Sequence, residues 1–424
     1  MTPHSERDLL ARRKKLLGAG YRLFYQQPLH VVRGEGVWLY DSDGNRYLDV
    51  YNNVVSVGHC HPDVVAAIAT QSAQLNTHTR YLTDAILEFA EDFLQEFPDE
   101  LQNITMTCTG SESNDLALRI ARQVTGGTGI LVTRWAYHGV TTLLSGLSPA
   151  LGAGAPRGDN VWLIDPPDTY HHATGSMTTS VVRALEAMQQ AGARPAALLF
   201  DTIFSSDGVF SGEMQDVQQA VRLVRDAGGL CIADEVQAGF GRTGSHRWGF
   251  ARYGITPDLV TMGKPMGNGH PVAAVVGRPA LFDEFGRRQR YFNTFGGNPV
   301  SCQAAHAVLN ILRRERLQEN ALQVGHYLEV GLRKLAAQHD VIGDIRAYGL
   351  FIGVELVNNA SRQQPASAYA ERVVNLMRQK RVLISTTGPN GNILKIRPPL
   401  VFQPEHADIL LSTLGEVLTM HPNS

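Results

Sequence analysis

Short alternating runs open the chain. Residues 31–50 (VVRGEGVWLYDSDGNRYLDV) read as two strands folded around an Asp43-Gly44-Asn45 turn, after an opening helix and irregular chain over residues 1–30. From Asp63 the apolar positions change to helical spacing through VVAAIATQSAQL. They do so again through DAILEFAEDFLQEF, where Pro98 stops the helix.

In the middle of the chain the runs lose their alternation. NITMTCTG, GILVT, AALLFDTI, LCIADEV, DLVTMGK and AAVVGR are short, nearly continuous apolar segments, and amphipathic stretches such as ESNDLALRIARQV and DVQQAVRLVRDAG lie among them. Strands without a polar face, with helices between them, predict a parallel sheet covered on both sides, hence an α/β fold. After Pro299 a long helical stretch (VSCQAAHAVLNILRRERLQENALQVGHYLEVGLRKLAAQ) precedes strand-like IRAYGLFIGVELV, the helix AYAERVVNLMRQKR, a strand around NILKIRPPLVF and a closing helix. That change of pattern predicts a smaller α+β domain. The expected division is an N-terminal segment (1–60) packing with the small domain, a large ligand-binding domain (61–300) and the small domain (301–424). At ~150 residues per domain, 424 residues suit two or three such units. No repeat or low-complexity linker interrupts them.

Composition narrows the function classes. Apolar residues at 43% are enough for a large core and exclude a disordered chain. A net charge of -2 gives no electrostatic footprint for nucleic acid or a membrane surface, so neither is an expected partner. No run of apolar residues is long enough to span a bilayer. Arg12-Arg13-Lys14-Lys15 is not followed by an apolar signal region, so it reads as a solvated helix face and the expected location is cytoplasmic. Cys60, Cys108, Cys231 and Cys302 form no C-x-x-C and sit beside small or apolar residues, which predicts four buried free thiols.

Five segments carry polar chemistry at strand ends. LCIADEVQAGFGRTG ends a buried strand in Asp234 and Glu235, where open α/β sheets bind ligands. DLVTMGKPMGNGHP sets Lys264 after an apolar strand in a glycine-rich loop, where desolvation lowers a lysine's pKa and lets it form a Schiff base. TGSESND places Gly110 and Ser111 at a helix N-terminus, a phosphate-binding arrangement as well as an N-cap. AYHG puts Tyr137 and His138 after the strand GILVT, as ring contacts for a flat ligand or as packing. FNTFGGNP (residues 292–299) is polar and glycine-rich. One ligand uses all five: pyridoxal 5'-phosphate needs a reactive lysine, an acid at its ring nitrogen, a phosphate cup and a ring clamp.

Through TGSESNDLALRIAR, AYHG, ADEVQAGFGRTG, TMGKPMGNGHP and FNTFGGNP the chain resembles the class III pyridoxal-phosphate-dependent aminotransferases over nearly its whole length. The resemblance implies fold type I, with a large, mostly parallel sheet domain and a smaller α+β domain. It makes Lys264 the Schiff-base lysine and Asp234 the partner of the ring nitrogen. It directs Gln237 to the ring hydroxyl, Tyr137 to the ring face, and Gly110 and Ser111 to the phosphate. Thr294 would come from the neighbouring subunit of a homodimer with shared active sites. Metal ligation is not expected.

The substrate end departs from the common pattern. Where many members carry a carboxylate-binding arginine, NILKIRPPL has Lys395, and where they carry Glu-Pro and a gating glutamate, FDTIFSSDGV has Asp201-Thr202 and Ser206. Lysine lacks the planar fork that grips a carboxylate at two points. Arg397 shares a strand face with Lys395 and would partly compensate.

NNVVSVGHCHP, NTHTRYL, GLFIGVEL and STTGPNGNILKIRPP further resemble the amino-phospholyase branch, with much wording shared by mitochondrial-type alanine–glyoxylate aminotransferases. That implies a lyase removing a β-substituent, foremost phosphate, from a small phosphorylated amine such as O-phosphoethanolamine. A hydroxylated aminoethylphosphonate or ω-transamination onto a 2-oxo acid stays open. A non-catalytic homologue is disfavoured by the intact Lys264 and Asp234. Candidate substrate contacts are Asn53, Arg22, Arg80, Lys395 and Arg397. GHCHP, with His59 and His61, reads as a turn shaping the substrate entrance rather than a metal motif. His171 and His172 read as a solvated loop, and GGTG at residues 126–129 precedes its strand and is no dinucleotide fingerprint.

Overall fold

The computed structural model describes residues 6–172, 175–358 and 364–420. Its main sheet has seven strands in the order Asn103–Thr107, Ala273–Gly277, Leu259–Met262, Leu230–Asp234, Pro195–Asp201, Gly129–Thr133 and Val161–Ile164. The last five run parallel. Successive residues serve opposite faces, as a pleated strand requires. Ile130, Leu199 and Ile232 pack under the helix Gly110–Thr125, whereas Leu131, Leu198 and Cys231 pack under Ser176–Gln190 and Met214–Asp226. Burial on both faces explains why these strands carry no polar alternation.

Ala273–Gly277 departs from the expected parallel series and runs antiparallel to both neighbours. Its link from Met262 holds only the 3₁₀ turn Lys264–Gly267, too short for the crossover that a parallel neighbour needs. The start of this strand therefore meets the ends of two others: Ala273 lies opposite Thr107, and Ala274 opposite Met262. That pairing gathers the helix that follows Thr107 and the loop that follows Met262 at one sheet edge.

Two four-stranded sheets complete the fold. Val31–Glu35, Trp38–Asp41 and Arg46–Asp49 form an antiparallel set, one strand more than expected, and Val382–Leu383 joins it in parallel. The other sheet is antiparallel, in the order Ile342–Tyr348, Phe351–Leu356, Ile393–Ile396, Ser385–Thr387. The expected single strand over IRAYGLFIGVELV is in fact a hairpin, turned at Gly349 with φ 55°. The long C-terminal helical stretch likewise breaks at Arg316 (φ 53°) into Pro299–Arg314 and Leu317–Ala336. Sequence patterning did not identify the edge strand Val161–Ile164 or the helices Ser176–Gln190 and Pro279–Arg288. One continuous core includes Leu48 and Val50, Phe89 and Phe93, and Leu410 and Leu414. No helix among the described residues is long and apolar enough to cross a membrane.

All four cysteines are free, but only Cys231 and Cys302 are buried. Cys108 is half-buried, and Cys60 is exposed in a turn with φ 52°.

Candidate active site

Gly110, Ser111, Asn114, Tyr137, His138, Gly139, Asp201, Asp234, Val236, Gln237 and Lys264 line a cavity of about 180 Å³ at the carboxyl edge of the main sheet. Seven of the residues expected from sequence thus meet there: Gly110, Ser111, Tyr137, His138, Asp234, Gln237 and Lys264.

The strand Leu230–Asp234 delivers its last carboxylate into the cavity, where Asp234 is 4% exposed. Asp234 Oδ2 accepts from Asn114 Nδ2 at 2.8 Å and faces His138 Nδ1 at 2.8 Å, and Oδ1 accepts from Val236 N–H at 3.1 Å. The neighbouring acid differs. Glu235 is fully buried and takes backbone N–H groups from Gly249 and Phe250 and the Thr202 hydroxyl. Desolvation pushes its pKa up to about 7. Of the acidic pair, one serves the cavity and the other fastens a loop.

Lys264 follows the strand Leu259–Met262 and forms no ion pair among the described residues. Burial lowers its pKa to about 8; the positive charge of Arg397 adds to the shift, and Asp234 and Asp201 oppose it. The helix Gly110–Thr125 presents its N-terminus to the same space. Thr109 caps this helix by accepting from Glu112 N–H, and the Glu112 carboxylate returns to the Thr109 N–H, a full capping box. Capping leaves the helix end open to the cavity: Thr109 serves the helix, and Gly110 and Ser111 line the cavity. Gly139, at φ 143°, lets the chain pass close by, since a Cβ there would lie 2.5 Å from Ser111 Oγ.

Pyridoxal phosphate suits these residues. The helix N-terminus offers N–H groups to a phosphate, Asp234 offers a carboxylate to a ring nitrogen, and Tyr137 keeps its ring 38% exposed at the cavity wall. His138 Nε2 is buried and has no hydrogen-bond partner among the described residues.

The expected substrate contacts divide. Lys395 and Arg397 are each buried to 6% exposure. Arg397 is already engaged: Nη1 donates to Gln237 Oε1 at 2.8 Å, and the guanidinium lies 4.6 Å from the centre of the Tyr51 ring. Lys395 rests 5.6 Å from the Phe351 ring and has no ion pair or hydrogen bond among the described residues. Its pKa is held well below the usual lysine value, chiefly by desolvation and then by the charge of Arg397. Asn53, 2% exposed, donates to Gln237 Oε1. Arg22 and Arg80 are exposed and outside this cavity, and Arg80 sits 3.8 Å over the Phe292 ring. Thr294 is likewise exposed and outside it within one chain.

Four residues of the cavity wall were not expected there from sequence: Gly139, Val236 and the polar Asn114 and Asp201. Asn114 lies on the same helix face as buried Leu118 and Ala121, and a polar side chain among apolar helix positions is its signal. Asp201 ends an apolar strand in register with Asp234. Desolvation and the charge of Asp234 raise its pKa.

The histidine pairs have other tasks. His59 Nε2 meets Asp49 Oδ2 at 2.7 Å, and His61 caps the helix Pro62–Gln74. No group of three potential metal ligands occurs among the described residues. His171 does lie in a loop, but it is not merely solvated: its two ring nitrogens meet Asp168 (2.7 Å) and Glu355 (3.0 Å).

The family described as aminotransferase class-III matches residues 23–418. The chain belongs to the class III aminotransferase family. Among curated relatives, an "alanine–glyoxylate aminotransferase 2-like" protein of Drosophila melanogaster is 40% identical over 98% of this chain and 87% of its own length. The "ethanolamine-phosphate phospho-lyase homolog 1" of Caenorhabditis elegans is 37% identical over 98% and 94%. A phospholyase from Arthrobacter, solved in complex with phosphoethanolamine, superposes with TM-score 0.95 at 45% identity, covering 98% of this chain and 100% of that one. This class III protein is accordingly an enzyme of fold type I, and its cofactor is pyridoxal 5'-phosphate.

Proposed function

We propose that this enzyme eliminates phosphate from a small phosphorylated amine of the O-phosphoethanolamine type, releasing an aldehyde and ammonia. The observation that carries the reading is Lys395, a buried basic side chain with no ion pair or hydrogen bond among the described residues. Desolvation disfavours its charged form, and an anionic substrate group would restore that form by pairing with it. The solved relative that binds phosphoethanolamine supports the same substrate class.

When bound, pyridoxal phosphate supplies an electrophilic aldehyde for the substrate amine and a sink for the electrons left on its carbon. Lys264 Nζ, lowered to about 8, is neutral often enough near neutral pH to take the proton from the carbon bearing nitrogen. Asp234, oriented by Asn114 Nδ2 and His138 Nδ1, would hold a proton at the ring nitrogen. Gly110 and Ser111 hold the cofactor phosphate and Tyr137 covers the ring. Lys395 holds the leaving phosphate. The balance is O-phosphoethanolamine plus water to acetaldehyde, ammonia and inorganic phosphate, with no 2-oxo acid. Ser206 in place of a gating glutamate agrees with a site that need not alternate between two acids.

The reading extends to a cytoplasmic homodimer in which Thr294 reaches the partner's cofactor. Tyr81, Leu82, Leu87, Phe292 and Phe295 stand exposed, Leu82 at 97%, as apolar surface for a second copy. It also keeps residues 61–300 as the cofactor-binding unit, with 1–60 and 301–424 together, as the pairing of Val382–Leu383 with Arg46–Asp49 suggests.

The test supplies cofactor-loaded enzyme with O-phosphoethanolamine alone and assays the three products. Equimolar phosphate, ammonia and acetaldehyde are expected. Turnover only with pyruvate or glyoxylate present would replace the reading with transamination. Ammonia released only from a hydroxylated aminoethylphosphonate would change the leaving group to hydroxide.

A further inference from the structure

Two donors converge on one oxygen at the cavity wall. Gln237 Oε1 accepts from Arg397 Nη1 at 2.8 Å and from Asn53 Nδ2. A carboxamide has one accepting and one donating end, and its partners decide which points where. A guanidinium can only donate, so the accepting end must face Arg397. The donating end, Nε2, forms no hydrogen bond among the described residues, and Gln237 borders the same space as Lys264 and Asp234.

The donors are themselves fastened. Arg397 N–H donates to Val50 O at 2.9 Å, and its guanidinium stacks on Tyr51. The loop carrying Tyr51 and Asn53 turns on Asp49, whose Oδ1 accepts from the backbone of Tyr51 (3.1 Å) and Asn52 (3.0 Å) while Oδ2 faces His59. A strand end of the small sheet and a loop of the N-terminal sheet thus meet on one side chain of the main domain.

We infer that Arg397 and Asn53 are positioning residues that lock the Gln237 amide with its N–H groups toward the cofactor ring, making Gln237 a donor only. The inference deepens the proposed site and rests on Gln237 meeting an oxygen of that ring. It also separates the two buried basic residues: Arg397 acts through Gln237, and Lys395 remains for the substrate anion.

A donor to a ring oxygen stabilises the more negative, deprotonated form of the bound chromophore, so its loss raises the pH at which the visible absorption changes. The experiment titrates cofactor-loaded enzyme without substrate and follows that midpoint. Gln237→Leu and Arg397→Met are each expected to raise it by about one pH unit, the size of a lost hydrogen bond to a charged group. The double variant should move no further than Gln237→Leu alone. Asn53→Ala, a small change elsewhere in the chain, should move the midpoint the same way by less. Gln237→Glu should match Gln237→Leu while keeping the Arg397 contact, which guards against reading misfolding as an effect. Additive shifts in the double variant would overturn the inference, because Arg397 would then act by its own charge. An unmoved midpoint in Gln237→Leu would overturn its premise, and product assays with O-phosphoethanolamine would still judge the phospholyase reading separately.

Discussion

Lys395 makes opposite demands on stability and on turnover. Its amine is desolvated and has no ion pair or hydrogen bond among the described residues, so Lys395→Met removes the cost of burying a polar group and is expected to leave the melting temperature equal or higher. The same change removes a charge-assisted contact worth ~1.5–3 kcal/mol, so kcat/KM for O-phosphoethanolamine should fall by about 10- to 100-fold. Calorimetry and steady-state kinetics on one variant check both signs; a fall in both would mean that Lys395 is part of the packing. Lys264 has its own signature. With its pKa lowered to about 8, the amine of the cofactor-free protein gains nucleophilicity as pH rises from 6 to 9. The rate of cofactor capture in stopped-flow absorbance should climb with a midpoint near that value and disappear in Lys264→Ala.

At the scale of elements, the cradle and the loops around it set the tolerances. An alanine Cβ at Gly139 would strike Ser111 Oγ at 2.5 Å and Leu144 Cδ1 at 2.7 Å. Gly139→Ala should therefore weaken cofactor binding by about tenfold or more, measured by equilibrium dialysis, with circular dichroism retained. The loop before Tyr170 is tied to the strand Phe351–Leu356 by His171 between Asp168 and Glu355. Those partners raise the His171 pKa from its ordinary 6.5 to about 10. A group raised on folding stabilises fully below its unfolded pKa and loses that contribution as pH climbs through the folded one. The melting-temperature difference between wild type and His171→Gln should thus shrink from pH 7 to pH 10.5.

The elements also explain how much of the fold is legible in the sequence. Buried strands such as Leu230–Asp234 were legible because two covered faces leave an unbroken apolar run. The direction of Ala273–Gly277 was not, since an antiparallel strand buried on both sides has the same composition as a parallel one. The residues gathered around the cavity were legible because glycines and strand-end polar residues leave local marks. The engagement of Arg397 and Asn53 with Gln237 was not, because that contact joins residues remote in sequence and depends on packing between sheets.

The whole molecule gathers its chemistry from three sheets. The main sheet holds Lys264 and Asp234, the small antiparallel sheet supplies Lys395, with Arg397 just beyond its strand, and the loop after Arg46–Asp49 brings Asn53. If a second copy covers Leu82 and Phe295, Leu82→Asp with Phe295→Asp should yield monomers in light scattering and lose activity together. One feature of the main sheet bears on how such a chain matures. Ala273–Gly277 is inserted between Asn103–Thr107 and Leu259–Met262, so the two site-bearing loops share an edge only after a closure across much of the chain. Pairings so distant in sequence are slow to form. A nascent or refolding chain carries the reactive lysine before it has a finished phosphate cradle beside it. Added cofactor should accordingly leave the early refolding phases unchanged and act late, by drawing the completed fold out of its equilibrium with partly open forms.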